Sequence, residues 1–162
     1  SQSRKSKMNK ETNTFVIYNE KTGERYGSSS WGGYKEWNTE RAAKGALTRL
    51  KKKYLKAFED DLAFTYKHIT EQYENGTFNE KTNGPNKYAT QEGRYAHRED
   101  MKQYRGDWKI YEGLCESQIV TYEYFYENEP MVERTNISCG TKFMERKNTP
   151  SFLSPSCDSY YR

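Results

Sequence analysis

What this chain has least of is ordinary hydrophobic mass: 33% of its 162 residues are apolar against 31% charged. No apolar run approaches the length of a membrane span, which excludes a transmembrane helix. Histidine is nearly absent, with His68 and His97 alone. The three cysteines, Cys115, Cys139 and Cys157, are far apart and odd in number. That argues against a secreted disulfide framework and points to a reducing compartment. Neither residue type has zinc-ligand spacing. A nucleophilic site needs a thiol or hydroxyl beside a base, and nothing local joins His97 to Cys115 or Cys157. The stretch AHRED, Ala96 to Asp100, gathers a His and two carboxylates but reads as a solvated turn. No phosphate-binding or dinucleotide glycine pattern is found. The basic N-terminus has no apolar core, so it does not read as a signal peptide. These absences leave no expected cofactor, metal or catalytic residue and point away from an enzyme.

Tyrosine is what the chain has in excess, 15 residues. A tyrosine can bury its ring and keep its hydroxyl wet, which suits half-buried sheets, protein contacts and base stacking alike. Charge is uneven. The net value is +4, but residues 1–57 hold 14 Lys and Arg against 5 Asp and Glu, while 58–162 hold 13 against 18. A basic first third with an acidic remainder can orient a protein on a polyanion.

Residues 1–13 are polar, basic and without period, and read as a flexible tail. A single domain is expected from 14 to 162. Thr14–Asn19 reads as a strand, turned at Gly23 into a second strand through Tyr26. From Asn38 or Thr39 as cap, Ala43, Ala46, Leu47, Leu50, Tyr54, Ala57 and Phe58 make one apolar stripe of helical period. The stripe shifts around Glu59-Asp60-Asp61 and continues through Leu62, Tyr66, Ile69 and Tyr73, as a second helix or a bent continuation, to Asn75-Gly76. Asn83-Gly84-Pro85-Asn86 reads as a turn. Thr90 to Gly106 reads as a helix, weakened by Gly93. From Trp108 the pattern looks like strands: WKIYEG, then QIVTYEYFYE with Val120, Tyr122, Tyr124 and Tyr126 on one face. Met131–Arg146 reads as a hairpin turning at Cys139-Gly140. Residues 148–162, rich in Pro and Ser, are irregular and either dock on their own domain or pack on a partner. Asn19 to Tyr26 and Asn136 to Phe143 share one form: Asn, three residues, Gly, one residue, a base, an aromatic. Two similar turns explain that echo. The order of elements predicts an α+β fold with a mostly antiparallel sheet, and an amphipathic helix packed on the N-terminal hairpin.

Opposite the apolar stripe lie Arg41, Lys44, Arg49, Lys52 and Lys56. Such a row can neutralise several phosphates, helped by Arg4, Lys5, Lys7 and Lys10 of the tail. It can equally be the solvated face of a packed helix or a protein contact. Trp31, Tyr34 and Trp37 stand beside it in a Gly-rich connection, where they either stack on bases or cover the sheet edge.

The stretch FVIYNEKTGERYGSS resembles the opening hairpin of GIY-YIG nucleases, with Tyr18, Tyr26, Gly27 and Arg41 at the matching positions. It departs in lacking Gly-Ile-Tyr and the residue between Tyr26 and Gly27, and no metal-binding Glu is placed. The TERAAKGALTRL helix after a Tyr-rich hairpin, and the ending VERTNISCGTKFMERKNTPSFLSPSCDSYYR, resemble small proteins of tailed bacteriophages, especially marine ones. Those often end in the form VERTNLMSGKKFME…NTP…CSPSSETYWSM. Here Leu153 replaces a frequent Cys and Tyr161 the Trp. The resemblance implies a viral origin, with action in the host cytoplasm or carriage in the virion, and it carries no activity or site residues.

The sequence therefore points to a non-enzymatic phage accessory protein that binds nucleic acid or a host or viral protein through the basic helix face, with no membrane role. The alternatives are a virion component packing through Tyr-rich strands and its C-terminal segment, and a degenerate GIY-YIG-like nuclease.

Overall fold

The computed structural model describes residues 13–29, 33–79, 81 and 84–148. The basic tail through Glu11 and Thr12, Trp31, Asn83 and residues 149–162 lie outside the described residues. The chain is α+β. Its elements are β1 (Phe15–Asn19), β2 (Glu24–Tyr26), α1 (Glu40–Glu74), α2 (Gln91–Met101), α3 (Gly106–Cys115), β3 (Gln118–Thr121), α4 (Tyr122–Asn128), β4 (Met131–Thr135) and β5 (Lys142–Arg146). The described residues of 13–47 and 116–148 form one compact unit and those of Thr48–Cys115 another, each with its own internal packing.

In the first unit β1 is central, with β2 and β3 antiparallel on either side. Val16, Ile17, Tyr18 and Asn19 are all buried, as a central strand covered on both faces requires. Trp37 continues the pairing where β2 stops: its N–H donates to the Phe15 carbonyl at 2.9 Å and its carbonyl accepts from Phe15 N–H at 2.7 Å. On one face Phe125 of α4 packs with Val16 and Tyr18, flanked by Val120 and Tyr122. Its ring meets Tyr18 edge-on at 5.3 Å. Ala43 and Ala46, in the first turns of α1, are buried.

The two echoing turns share one geometry. Gly23 and Gly140 have φ of 75° and 72°, a region open to glycine at little cost. The Gly23 N–H donates to Asn19 O and the Gly140 N–H to Asn136 O, at 2.7 and 2.8 Å. Each Asn side chain also accepts from backbone two residues on, Lys21 N–H at 3.0 Å and Ser138 N–H at 2.9 Å.

The segment QIVTYEYFYE is not one strand. β3 ends at Thr121, whose hydroxyl accepts from Tyr124 N–H at 3.1 Å and caps α4. Tyr122 and Phe125 then face the sheet one helical turn apart, while Tyr124 and Tyr126 are exposed. WKIYEG is likewise helical, within α3.

In the second unit, α1 passes Glu59-Asp60-Asp61 without a break, since no glycine or proline interrupts it there. The acids are tied by α2 and the segment after it: Glu59 pairs with Arg98 and Asp61 with Arg105. Phe58 and Leu62 are buried, and Phe58 meets Trp108 of α3 at 5.1 Å. Helix α2 is capped by the Thr90 hydroxyl, accepting from Gly93 N–H at 3.0 Å. It stops at Met101, not Gly106, which begins α3. Gly93 is required there, because a Cβ would collide with the Lys87 carbonyl oxygen.

Candidate functional site

The long helix carries all five cations of the predicted row, and Arg41, Lys44, Arg49, Lys52 and Lys56 are all exposed. They differ in their partners. Lys44 pairs with Glu40 at 3.1 Å and Lys56 with Asp60 at 2.7 Å, both one turn away and solvent-exposed. The bond that Lys56 donates to Asp60 raises the Lys56 pKa, so that ammonium is firmly charged. Exposed pairs of this kind contribute little to stability and open readily to a competing anion. Among the described residues no carboxylate lies at ion-pair distance from Arg41, Arg49 or Lys52. Arg49, Lys52 and Lys56 lie within roughly 60° of helix circumference and about 10 Å of rise. No aromatic side chain shares that strip.

Trp37 does not serve as a stacking residue. It is 8% exposed, with its ring against Gly27, where a Cβ would come within 2.7 Å of it. The reading that it covers the sheet edge is the one its backbone bonds to Phe15 support. Tyr34 is 43% exposed and flanks the Arg25 guanidinium at 5.2 Å. Trp31 lies outside the described residues.

Arg25, the base of the first echoing segment and not one of the predicted site residues, is buried. Its guanidinium faces Phe125 at 4.9 Å, Tyr34 at 5.2 Å and Tyr122 at 5.7 Å, and donates to the Lys35 carbonyl at 3.4 Å. Its Nε finds no hydrogen-bond partner among the described residues. Burial pushes its pKa down, partly offset by Glu36. Its signal in the sequence is faint, the base position that the two echoing segments share.

The positions matching the nuclease hairpin do not converge. Tyr18 pairs with Arg25 and Ile17 with Tyr26, so the two tyrosines point to opposite faces of the sheet. Tyr18 donates to Asn128 O at 3.2 Å and Tyr26 to Glu24 Oε2 at 2.9 Å. Burial, then the Glu24 bond, holds Tyr26 well above the usual phenol range. Arg41 is exposed on α1. No group of three metal-ligating side chains occurs among the described residues, and no described helix is long and apolar enough to cross a membrane. Cys115 is a free, exposed thiol.

AHRED is part of α2 and not a solvated turn. His97 Nδ1 lies 3.3 Å from the Tyr66 hydroxyl, its ring 4.6 Å from Tyr88. Tyr66 also donates to Arg94 O at 3.1 Å. Burial lowers the His97 pKa, with Asp100 opposing. The folded protein thus prefers neutral imidazole. The stability this gives is complete above the unfolded value of about 6.5 and is lost as pH falls through the lower folded value. We expect the urea midpoint of wild type, followed by tryptophan emission, to drop on acidification from pH 7.5 to 5, and His97→Asn to show a flatter profile. Equal profiles for the two proteins would rule the assignment out.

No protein-family model, curated protein or solved structure matches the chain.

Proposed function

We propose that this chain is a non-enzymatic bacteriophage accessory protein that binds nucleic acid through the basic row of α1. The observation that carries this reading is the row itself: Arg49, Lys52 and Lys56 stand side by side and exposed, the first two without a carboxylate at ion-pair distance among the described residues. A solvated helix face usually intersperses both signs. Between Arg41 and Lys56 this helix has seven cations and no acid. Such a strip attracts a polyanion and exchanges its counterions for phosphates. The phage origin rests on the sequence resemblance at the hairpin, helix and C-terminal segment.

The test is fluorescence anisotropy with short DNA and RNA probes over a series of salt concentrations. The variant Arg41→Glu/Arg49→Glu/Lys52→Glu/Lys56→Glu is measured beside wild type. Wild type should bind with a steep salt slope, and the variant's slope should fall by about 0.7–0.9 for each phosphate that the row no longer neutralises. Absence of binding at low salt would make the row a solvated or protein-contacting face.

A second reading, a virion component that packs against neighbours, draws on a different surface. Tyr126 is 56% exposed, and Met131 and Met144, both on the β4–β5 hairpin, are 53% and 60% exposed. Concentration-dependent assembly in light scattering would favour it over the first.

A further inference from the structure

Building on the nucleic-acid reading, we propose that the partner is single-stranded: the strand lies along α1 from Arg49 and enters the cleft between α1 and α2, where Arg94 takes a phosphate and Tyr95 stacks on a base.

At 100° per residue, Glu59 and Ala63 at the rim of the cleft fall on the wheel next to Arg49, Lys52 and Lys56, while Leu62 and Tyr66 belong to the apolar stripe. Glu59, Leu62, Ala63 and Tyr66 form one wall and Gln91, Arg94, Tyr95 and Arg98 the other, enclosing about 290 Å³. A second hollow of about 440 Å³ adjoins it along α1, with Lys67 and Thr70 in its lining and Arg94 again at its edge. From Arg49 to Ala63 the helix rises about 21 Å, so the row and the cleft form one track.

Arg94 is fixed in advance for an anion. Its Nε donates to the Tyr88 carbonyl at 2.7 Å, and its guanidinium lies over the Tyr66 ring at 5.6 Å. Tyr66 is itself held by His97 and by the Arg94 carbonyl. The terminal nitrogens of Arg94 make no hydrogen bond among the described residues, so the face suited to a phosphate is open. Tyr95, the next residue, is 65% exposed. A large aromatic left in water beside a fixed guanidinium is the pairing that single-strand binders use: a stacking ring and a backbone cation.

Charge sets the extent of the track. Glu59 is cancelled by Arg98 and Asp61 by Arg105, while Asp60 is held only by its exposed pair with Lys56 and stays on the track as a lone acid once Lys56 turns to a phosphate. Glu71 and Glu74 line the far side of the second hollow and turn a polyanion away there. The strand is therefore confined between Arg49 and Arg94. A duplex fits this less well, because its bases are stacked within and offer Tyr95 no free π-face, leaving only the phosphate contacts of the row.

The experiment uses the full chain, with labelled oligo-thymidylate and a duplex of equal length, for wild type, Tyr95→Ala, Tyr95→Trp and Arg94→Ala. The expected result is a preference of wild type for the single strand. Tyr95→Ala should weaken single-strand binding by about 5- to 160-fold and leave duplex binding unchanged, and Tyr95→Trp should restore it. Arg94→Ala should lower the single-strand salt slope by about 0.7. If wild type binds both probes alike and Tyr95→Ala changes neither, the cleft has no such role while the row still binds phosphates. If wild type binds neither, the row reading fails and this proposal falls with it.

Discussion

Phe125→Ala is expected to cost the first unit about 3–5 kcal/mol, the range for removing a fully buried aromatic. Two terms add. Phe125 is wholly buried against Val16 and Tyr18, so truncation removes the transfer free energy of a ring and leaves a cavity that a central strand paired on both sides cannot collapse to fill. The ring is also a wall of the Arg25 site, 4.9 Å from the guanidinium. Without it, a cation whose Nε has no hydrogen-bond partner among the described residues is deprived of a favourable aromatic face. Against a total stability of about 5–15 kcal/mol, such a change can unfold the unit at room temperature. Phe125→Leu keeps most of the volume and should cost less than half as much. The measurement is urea unfolding followed by tryptophan emission in a Trp31→Phe/Trp108→Phe background, which leaves Trp37 as the buried reporter within the first unit. A midpoint for Phe125→Ala within error of the parent would mean that α4 does not form this core.

The hairpins and the long helix are legible in the sequence because their causes are local. Asn19 and Asn136 close their own turns, and Gly23 and Gly140 supply the left-handed residue, so a window of eight residues contains the whole explanation. The helix follows from a stripe that drifts but meets no breaker, and its cations can be placed on a wheel without knowing what packs behind. The misreadings have a common origin in short segments whose aromatics fit either period. Tyr122, Tyr124 and Tyr126 alternate like a strand, yet the Thr121 cap and the Tyr122–Phe125 spacing fit a helix equally well, and burial of Phe125 on β1 decides between them. Trp108, Tyr111 and Leu114 stand at a helical spacing of three, but WKIYEG is too short to show it. Trp37 looks exposed because it follows Gly32 and Gly33, and only its pairing with Phe15 takes it inside. Arg94 and Tyr95 do not stand out in the sequence, because what gives them meaning is the ring of Tyr66, 28 residues before Arg94, and α2 packed beside it.

Glu129→Ala should be the second most damaging single change, at about 3 kcal/mol, because this buried carboxylate organises the polar side of the first unit. Its Oε1 accepts from Arg146 Nε at 2.6 Å and its Oε2 from Asn148 N–H at 2.8 Å. Asn148 in turn accepts from Arg25 N–H at 2.9 Å and donates to Gly23 O at 2.6 Å. A side-chain amide thus occupies the outer edge of β2 as a neighbouring strand's peptide would, and closes an edge that would otherwise pair with another chain. Arg146 also donates to Tyr126 O at 2.7 Å and lies 3.9 Å from the Tyr126 ring. Removing one member of a buried ion pair typically costs about 3–5 kcal/mol. The low end applies here, because the Arg146 side chain is 25% exposed and water can reach it. Glu129→Gln keeps the shape and one acceptor, and should cost about half as much. The ordering Ala worse than Gln, in the same unfolding assay, separates removal of the acceptors from removal of charge alone. Should Gln prove as damaging as Ala, charge and not the hydrogen-bond geometry would be what holds Arg146 and Asn148 in place. An Ala variant as stable as wild type would show that Asn148 is held on β2 by its own two bonds.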